Sequence, residues 1–432
     1  MPSQDQPSRD HRRADTAGFR GLRWAHALVA LLIVTGFGGS AVAQEIPPIL
    51  AEPMQVGEHV DYRVETAHPY WVSVGEKTTT TYVIQQEGAT YVALHFERFE
   101  LAPGDYVIVR SPDGSREWRY EGFGKPGVAR GEGFWSIHVA GERIIVDLVA
   151  ENGGAYGFSI DKVARGFAPI YDTEAICGAD DSDWAQCYTA SEAAAYEEGR
   201  GVARLLINGS GLCTGWLVGS EGHLMTNNHC ISTQNAAGNT NYEFMAEGMC
   251  GENCPQLQCD GTIVTTSGTL IQTSGTLDYT LIQLDVNPTA TYGYLQLNEA
   301  GATIGDRLYI PQHPGGQGKR IALFSTDSHD PDGWPIVDNR FFSGARELAT
   351  YFADTSGGSS GSPVVGYDDN CVIVLHSGTF GCSGLGNTGT TIDQIIGDLG
   401  ANLPADALCS DSDIFTDGFE SGDVSVWSSN TP

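Results

Sequence analysis

The chain is predicted to be all-β. Short runs of β-forming residues recur at regular spacing, with turn residues between them. Glycine is abundant, 55 in 432 residues, and marks many turns. All ten cysteines fall between Cys177 and Cys409. That asymmetry predicts two parts, an unstapled β module followed by a disulfide-stapled one, built outside the reducing cytoplasm.

Arg12, Arg13, Arg20 and Arg23 precede an apolar run, Ala25 to Gly36, and then Ala41-Val42-Ala43. This order reads as a signal peptide, residues 1–43, cleaved after Ala43. An uncleaved anchor is the alternative. The strongly apolar part, Ala27 to Val34, is too short to span about 30 Å of hydrocarbon. The expected destination is secreted or periplasmic, with no membrane partner after cleavage. Lys+Arg 23 against Asp+Glu 54 gives a formal charge of −31. That excess argues against nucleic acid and anionic membranes, both of which require basic patches. It reads as a solvated acidic surface, and the chain is expected to act as a monomer.

Residues 44 to about 58 are Pro-rich and read as a tail within the first module, 44–165. Thr80-Tyr82-Ile84 and Tyr91-Ala93-His95-Glu97 alternate as half-buried strands do. Asp105 to Val109 is a continuous β run, closed by the turn Ser111-Pro112-Asp113-Gly114. Phe134 to Val139, Ile144 to Leu148 and Tyr156 to Ile160 continue the series. Strands of this length and spacing predict a β-sandwich. His59, His68, His95 and His138 are scattered and read as ordinary surface or pocket residues.

Residues 166–200 form a connector. Asp180, Asp181 and Asp183 make an acidic loop between Cys177 and Cys187, which reads as solvated because no full calcium-ligand pattern appears. Ser191 to Arg200 has helical composition, with Ser191 as a candidate cap. Cys250, Cys254 and Cys259 lack zinc spacing and a completing histidine, so disulfides are expected, with no metal and no cofactor.

From Val202 the strands resume. Leu212 to Val218 and His223 to Thr226 read as a hairpin, and Cys213 and Cys230 flank it closely enough to bridge. His229 is next to Cys230, where a disulfide would fix its backbone. His223, exposed at the turn, reads as a surface residue. Asp278 precedes the apolar strand Leu281 to Leu284, either as a turn residue or as a buried partner for an imidazole N–H. Gly357-Gly358-Ser359-Ser360-Gly361-Ser362-Pro363 reads either as a flexible linker or as a tight turn that aims a serine hydroxyl. In the second case the N–H groups of Gly358 and Ser360 form an oxyanion hole, and Ser359 is spacing. Three residues in the order His229, Asp278, Ser360 match the chain order of chymotrypsin-type proteases.

Thr226-Asn227-Asn228-His229-Cys230, Asp278-Tyr279-Thr280-Leu281-Ile282 and Gly358-Ser359-Ser360-Gly361-Ser362-Pro363 resemble the three motifs of the chymotrypsin-like serine peptidases. With residues 313–322 and 372–378 they resemble the bacterial lysyl-endopeptidase and glutamyl-endopeptidase branch. The resemblance implies a double β-barrel over residues 201–410, with His229 as general base then acid, Asp278 as its orienter and Ser360 as the nucleophile. It implies protein or peptide substrates and manufacture as a precursor. Residues 94–114 resemble CUB-like accessory domains of secreted peptidases. The lysyl-endopeptidase layout implies bridges Cys177–Cys382 and Cys187–Cys259, and leaves Cys250–Cys254 and Cys371–Cys409.

Specificity has three candidates. Asp354, six residues before Ser360, stands where trypsin-like relatives hold the carboxylate that pairs with Lys or Arg, although in other relatives it is structural. The stretch Ser383 to Thr391, where lysyl endopeptidases carry the selecting acid, has none. His376 stands where glutamyl endopeptidases meet an acidic side chain, and Ser377 and Gly378 are expected to line the substrate strand. Cleavage after basic residues is the leading expectation. Residues 411–432 read as an acidic disordered tail. The competing functional class is a catalytically silent secreted binding protein whose β-sandwich is the working module.

Overall fold

The computed structural model describes residues 49–409 apart from 51, 74–75 and 169–175. The expected signal peptide and acidic tail lie outside the described residues. Strands dominate, and the two longest helices, Ala193–Arg200 and Ile392–Leu399, have eight residues each. No helix among the described residues is long and apolar enough to cross a membrane.

The N-terminal module is two antiparallel sheets. One has the order Gly57–Glu65, Gly157–Gly166, Tyr91–Glu100, Phe134–Ala140, and the other Thr78–Gln85, Arg143–Ala150, Tyr106–Arg110, Glu117–Glu121. Alternation explains their packing. Val92, Leu94 and Phe96 point inward to meet Val107, Val109, Ile144 and Val146 of the opposite sheet in one core. Their neighbours Tyr91 and Ala93 point outward into a second, smaller core with Val56, Trp135, Leu206 and Leu212.

That second core joins the sandwich to the sheet that follows. Burying such side chains stabilises by about 1.5–3 kcal/mol each. A buried ionic cluster crosses the same boundary. The Glu243 carboxylate accepts from Arg204 Nε and Nη2 at 3.0 and 2.8 Å, and from Arg116 of the sandwich. Burial pushes the Glu243 carboxyl up in pKa, but the two guanidinium groups outweigh it and hold it well below the usual range. Lys125 of the sandwich donates to the Thr266 carbonyl at 3.0 Å.

The remaining strands form two further antiparallel sheets. The first has the order Thr262–Thr265, Thr240–Phe244, Val202–Ile207, Gly211–Val218, His223–Thr226, Tyr279–Leu284, Gly268–Ser274. The second has the order Asp183–Trp184, Arg320–Ala322, Leu308–Gln312, Pro363–Gly366, Val372–Thr379, Asn387–Thr391, Arg346–Tyr351, Asn339–Ser343. Each curls around its own core: Leu205, Leu217, Leu224, Phe244 and Ile282 share one, and Ile310, Ala349, Val364 and Ile373 share the other. A third core, with Trp216, Tyr279, Tyr309 and Val365, lies where the sheets meet. The chain is all-β.

Four local expectations change. The Pro-rich stretch 44–58 is not simply a tail, since Ile49–Leu50 and Met54–Gln55 each pair with a sheet. The strand Glu117–Glu121 was not anticipated, because only Tyr120 in it is fully buried and its polar residues hide the alternation. Ser191 does not cap the connector helix; Glu192 occupies that position without a side-chain cap. The pairings Cys187–Cys259 and Cys250–Cys254 do not form. Cys187 bonds to Cys250 and Cys254 to Cys259, with Cα separations of 4.8 and 5.6 Å. The reason is a turn at Leu257, φ 53°, which doubles the loop back so that Cys259 meets Cys254. Cys177 bonds to Cys382, Cys213 to Cys230 and Cys371 to Cys409.

Candidate active site

His229 is positioned by what surrounds its backbone. The strand His223–Thr226 pairs with Tyr279–Leu284 in a register that sets Thr226 opposite Thr280. The residues just beyond these ends, His229 and Asp278, are therefore brought together although 49 positions separate them. Asp278 takes the left-handed conformation, φ 54°, and its carbonyl accepts from Asn227 Nδ2 at 2.9 Å. Its carboxylate accepts from the His229 backbone N–H at 3.0 Å. The His229 Nδ1 atom lies 3.1 and 2.9 Å from the two carboxylate oxygens. The Cys213–Cys230 bridge ties the next residue to the neighbouring strand. Those two sulfurs are bonded to each other, so with His229 they do not constitute a metal site.

Ser360 sits on a turn locked from both sheets. Its carbonyl accepts from the Thr214 N–H of the first sheet at 2.9 Å, and the Gly361 N–H donates to the His376 carbonyl of the second at 3.0 Å. The turn closes on itself through Ser359 N–H to Ser356 O and Ser362 Oγ to Ser359 O, at 3.0 and 2.6 Å. Glycine is required at two positions. Gly358 and Gly361 have φ of 92° and 89°, and a methyl group at Gly361 would strike the Thr214 carbonyl and Thr226 Oγ1. Among the described residues, neither the Ser360 hydroxyl nor His229 Nε2 has a hydrogen-bond partner, and the N–H groups of Gly358 and Ser360 donate to no protein acceptor. The structure thus does not draw a Ser360–His229 hydrogen bond; it leaves both atoms without other partners.

Arg346 was missed in the sequence. Its guanidinium is buried, 3.7 Å from Asp278 Oδ2, and donates to Ser377 Oγ at 2.5 Å and Thr390 Oγ1 at 2.6 Å. The only available signal was a cation at the start of a strand whose following residues are mostly buried. Ser377 therefore turns its hydroxyl inward to Arg346. Gly378 pairs by backbone with Leu50.

The specificity candidates fall in different places. His376 is buried beside the turn, with Nδ1 2.8 Å from the Tyr351 hydroxyl. Burial, and then the nearby His229, push its pKa down to about 3, so it is neutral at ordinary pH. Asp354 differs from the expectation of an open selecting carboxylate. Its Oδ1 accepts from the Cys177 N–H at 3.0 Å and its Oδ2 from the Asp181 N–H at 2.7 Å. It lines a small surface pocket with connector residues Asp180 and Ser182, and neither Ser360 nor His376 lines that pocket. Burial raises the Asp354 carboxyl to about 7. The acidic loop is likewise spoken for: Asp180 pairs with Arg320, and Asp181 accepts from the Thr326 N–H and hydroxyl.

A protein from Plasmopara viticola named secreted RxLR effector protein 73 is 36% identical over 415 residues, covering 89% of this chain and 100% of that one. Among solved structures, a Glu endopeptidase in complex with MPD is 20% identical and covers 53% of this chain and 98% of its own, with a TM-score of 0.37. The Rv3671c protease in its inactive form is 16% identical and covers 50% of this chain and 95% of its own, with a TM-score of 0.35. The family model described as lysyl endopeptidase, C-terminal domain, matches residues 177–393. The chain belongs to the lysyl endopeptidase C-terminal domain family.

Proposed function

We propose that the protein is a secreted serine endopeptidase that hydrolyses peptide bonds through His229, Asp278 and Ser360. One observation carries the reading. The His229 ring is held through Nδ1 by both oxygens of a buried aspartate, while Nε2 is left without a protein partner. Held this way, Nε2 is the free base that takes the Ser360 proton as Oγ attacks a substrate carbonyl. The undonated N–H groups of Gly358 and Ser360 then stabilise the oxyanion, each worth about 3 kcal/mol in the transition state. His229 returns the proton to the leaving amine, and water resolves the acyl-enzyme by the same route in reverse. Five disulfides support an extracytoplasmic destination.

A preference for basic residues draws no support from Asp354, whose oxygens are both taken by backbone N–H groups. A substrate cation would have to displace one of them. A cleavage profile over a peptide library checks this directly: loss of a Lys or Arg preference in Asp354→Asn would restore Asp354 as the selecting group.

The second reading is a catalytically silent binding protein, since the 36% identical relative is named as a secreted effector rather than a peptidase. A fluorophosphonate probe separates the two. Covalent labelling that Ser360→Ala abolishes supports the endopeptidase. Absence of labelling, in the intact chain and after the N-terminal segment is removed, leaves the binding protein.

A further inference from the structure

Both sheet edges that flank Ser360 are already paired with the chain's own N-terminal segment. Leu50 pairs with Gly378 and Ile49 with Thr379, antiparallel, on the second sheet. Met54 pairs with Leu212 and Gln55 with Gly211, antiparallel, on the first. Ser360 lies between these edges, since its carbonyl is held by Thr214, two residues past Leu212, and Gly361 is held by His376, two before Gly378. Four residues separate Leu50 from Met54, a step that can reach about 13 Å when extended, so one short stretch of chain serves both edges. Met54 runs beside the nucleophile turn: a methyl group at Gly357 would lie 3.2 Å from its sulfur.

The segment is anchored immediately afterwards. The Val56 N–H donates to the Ser210 carbonyl at 2.9 Å, and the Val56 carbonyl accepts from the Phe167 N–H at 3.1 Å. Val56 is fully buried in the core between sandwich and first sheet. The sandwich, fixed by the Glu243 cluster, thus holds the bridge in place.

An endopeptidase grips an extended peptide by adding it as a strand to such edges, and one edge pairs with one strand at a time. Resting on the endopeptidase reading of the site, we infer that the paired strands Ile49–Leu50 and Met54–Gln55 are a built-in inhibitory element occupying the substrate track. Each end contributes only two residue pairs, so the strand is displaceable. Tethering compensates, because a short linker holds a segment at an effective concentration of order mM. The sandwich need not leave for the cleft to open; release of residues 49–55 suffices.

The test compares three forms of the secreted protein: the full chain, the double variant Leu50→Pro with Met54→Asp, and a variant lacking residues 44–54. Fluorophosphonate labelling rates at Ser360 are measured, with thermal unfolding to establish that each form is folded. Both altered forms are expected to label at least about tenfold faster, and a synthetic peptide of residues 46–55 to slow the shortened form again. Equal rates in folded forms would overturn the inhibitory strand while leaving the endopeptidase intact. If no form labels, the endopeptidase reading fails, and anisotropy with the fluorescein-labelled peptide judges the strand alone. Binding to the shortened form but not to the full chain supports occupancy of the track, and binding to neither overturns it.

Discussion

Replacing Asp278 with asparagine tests the site where its geometry is most specific. The carboxylate serves the His229 backbone N–H at 3.0 Å and His229 Nδ1 at 2.9 Å, with Arg346 at 3.7 Å. An amide has one acceptor oxygen and a donor NH₂ group. If the oxygen faces His229, the NH₂ group faces the Arg346 guanidinium, donor against donor. If the NH₂ group faces Nδ1, the ring adopts the tautomer with its proton on Nε2, and Nε2 then accepts nothing from Ser360. Either orientation also removes the negative charge that stabilises the imidazolium. For a triad of this kind the loss in kcat is about 10⁴-fold, equivalent to ~5 kcal/mol. The assay is the fluorophosphonate labelling rate together with kcat/KM on the best library peptide, using the form that lacks residues 44–54. Thermal unfolding checks that the fold survives. A fall of less than tenfold in a folded Asp278→Asn protein would refute the proposed role.

Three further outcomes are expected. Glu243→Gln leaves the Arg204 guanidinium buried without a counter-charge, while Arg116 keeps Asp260, and lowers unfolding stability by about 3–5 kcal/mol in a urea titration; an unchanged midpoint would show that the cluster does not hold sandwich to sheet. Lys125 is buried, and burial lowers its pKa from 10.5 to about 7. Between those values the unfolded chain binds the extra proton, so stability rises with pH across that window, and Lys125→Met should flatten the trend in melting temperature. Gly361→Ala forces a left-handed alanine against the Thr214 carbonyl, costs ~3 kcal/mol, and should reduce labelling at Ser360 by more than tenfold; wild-type labelling would mean the turn relaxes freely.

Local patterning made much of the chain readable. Runs such as Tyr91–Glu100 and Phe134–Ala140 alternate because each strand has one face in a core, and period two survives in the sequence. Glu117–Glu121 did not survive it, because four of its five residues are charged or only half-buried. His229, Asp278 and Ser360 were nameable because each sits in a short motif fixed by turn chemistry: a bridged cysteine, a strand start, a glycine turn. Arg346 carried no such motif. Its importance arises from a strand that reaches Asp278 only after the second sheet has closed.

The sequence by itself determined the all-β class and nominated the division by cysteines and the three residues of the candidate triad, because these rest on periodicity, redox chemistry and short motifs. Tertiary structure alone decided which carboxylate oxygens are free, which cysteines meet in the loop 250–259, and what lies across the cleft. Asp354 looked like a selecting acid until the connector's N–H groups closed on it. Residues 44 to about 58 looked like a proline-rich tail, since proline suppresses any strand signal, yet Ile49–Leu50 and Met54–Gln55 are paired strands. They pair because two sheet edges more than 150 residues apart in the chain present unpaired backbone groups at the right separation, which no local pattern encodes.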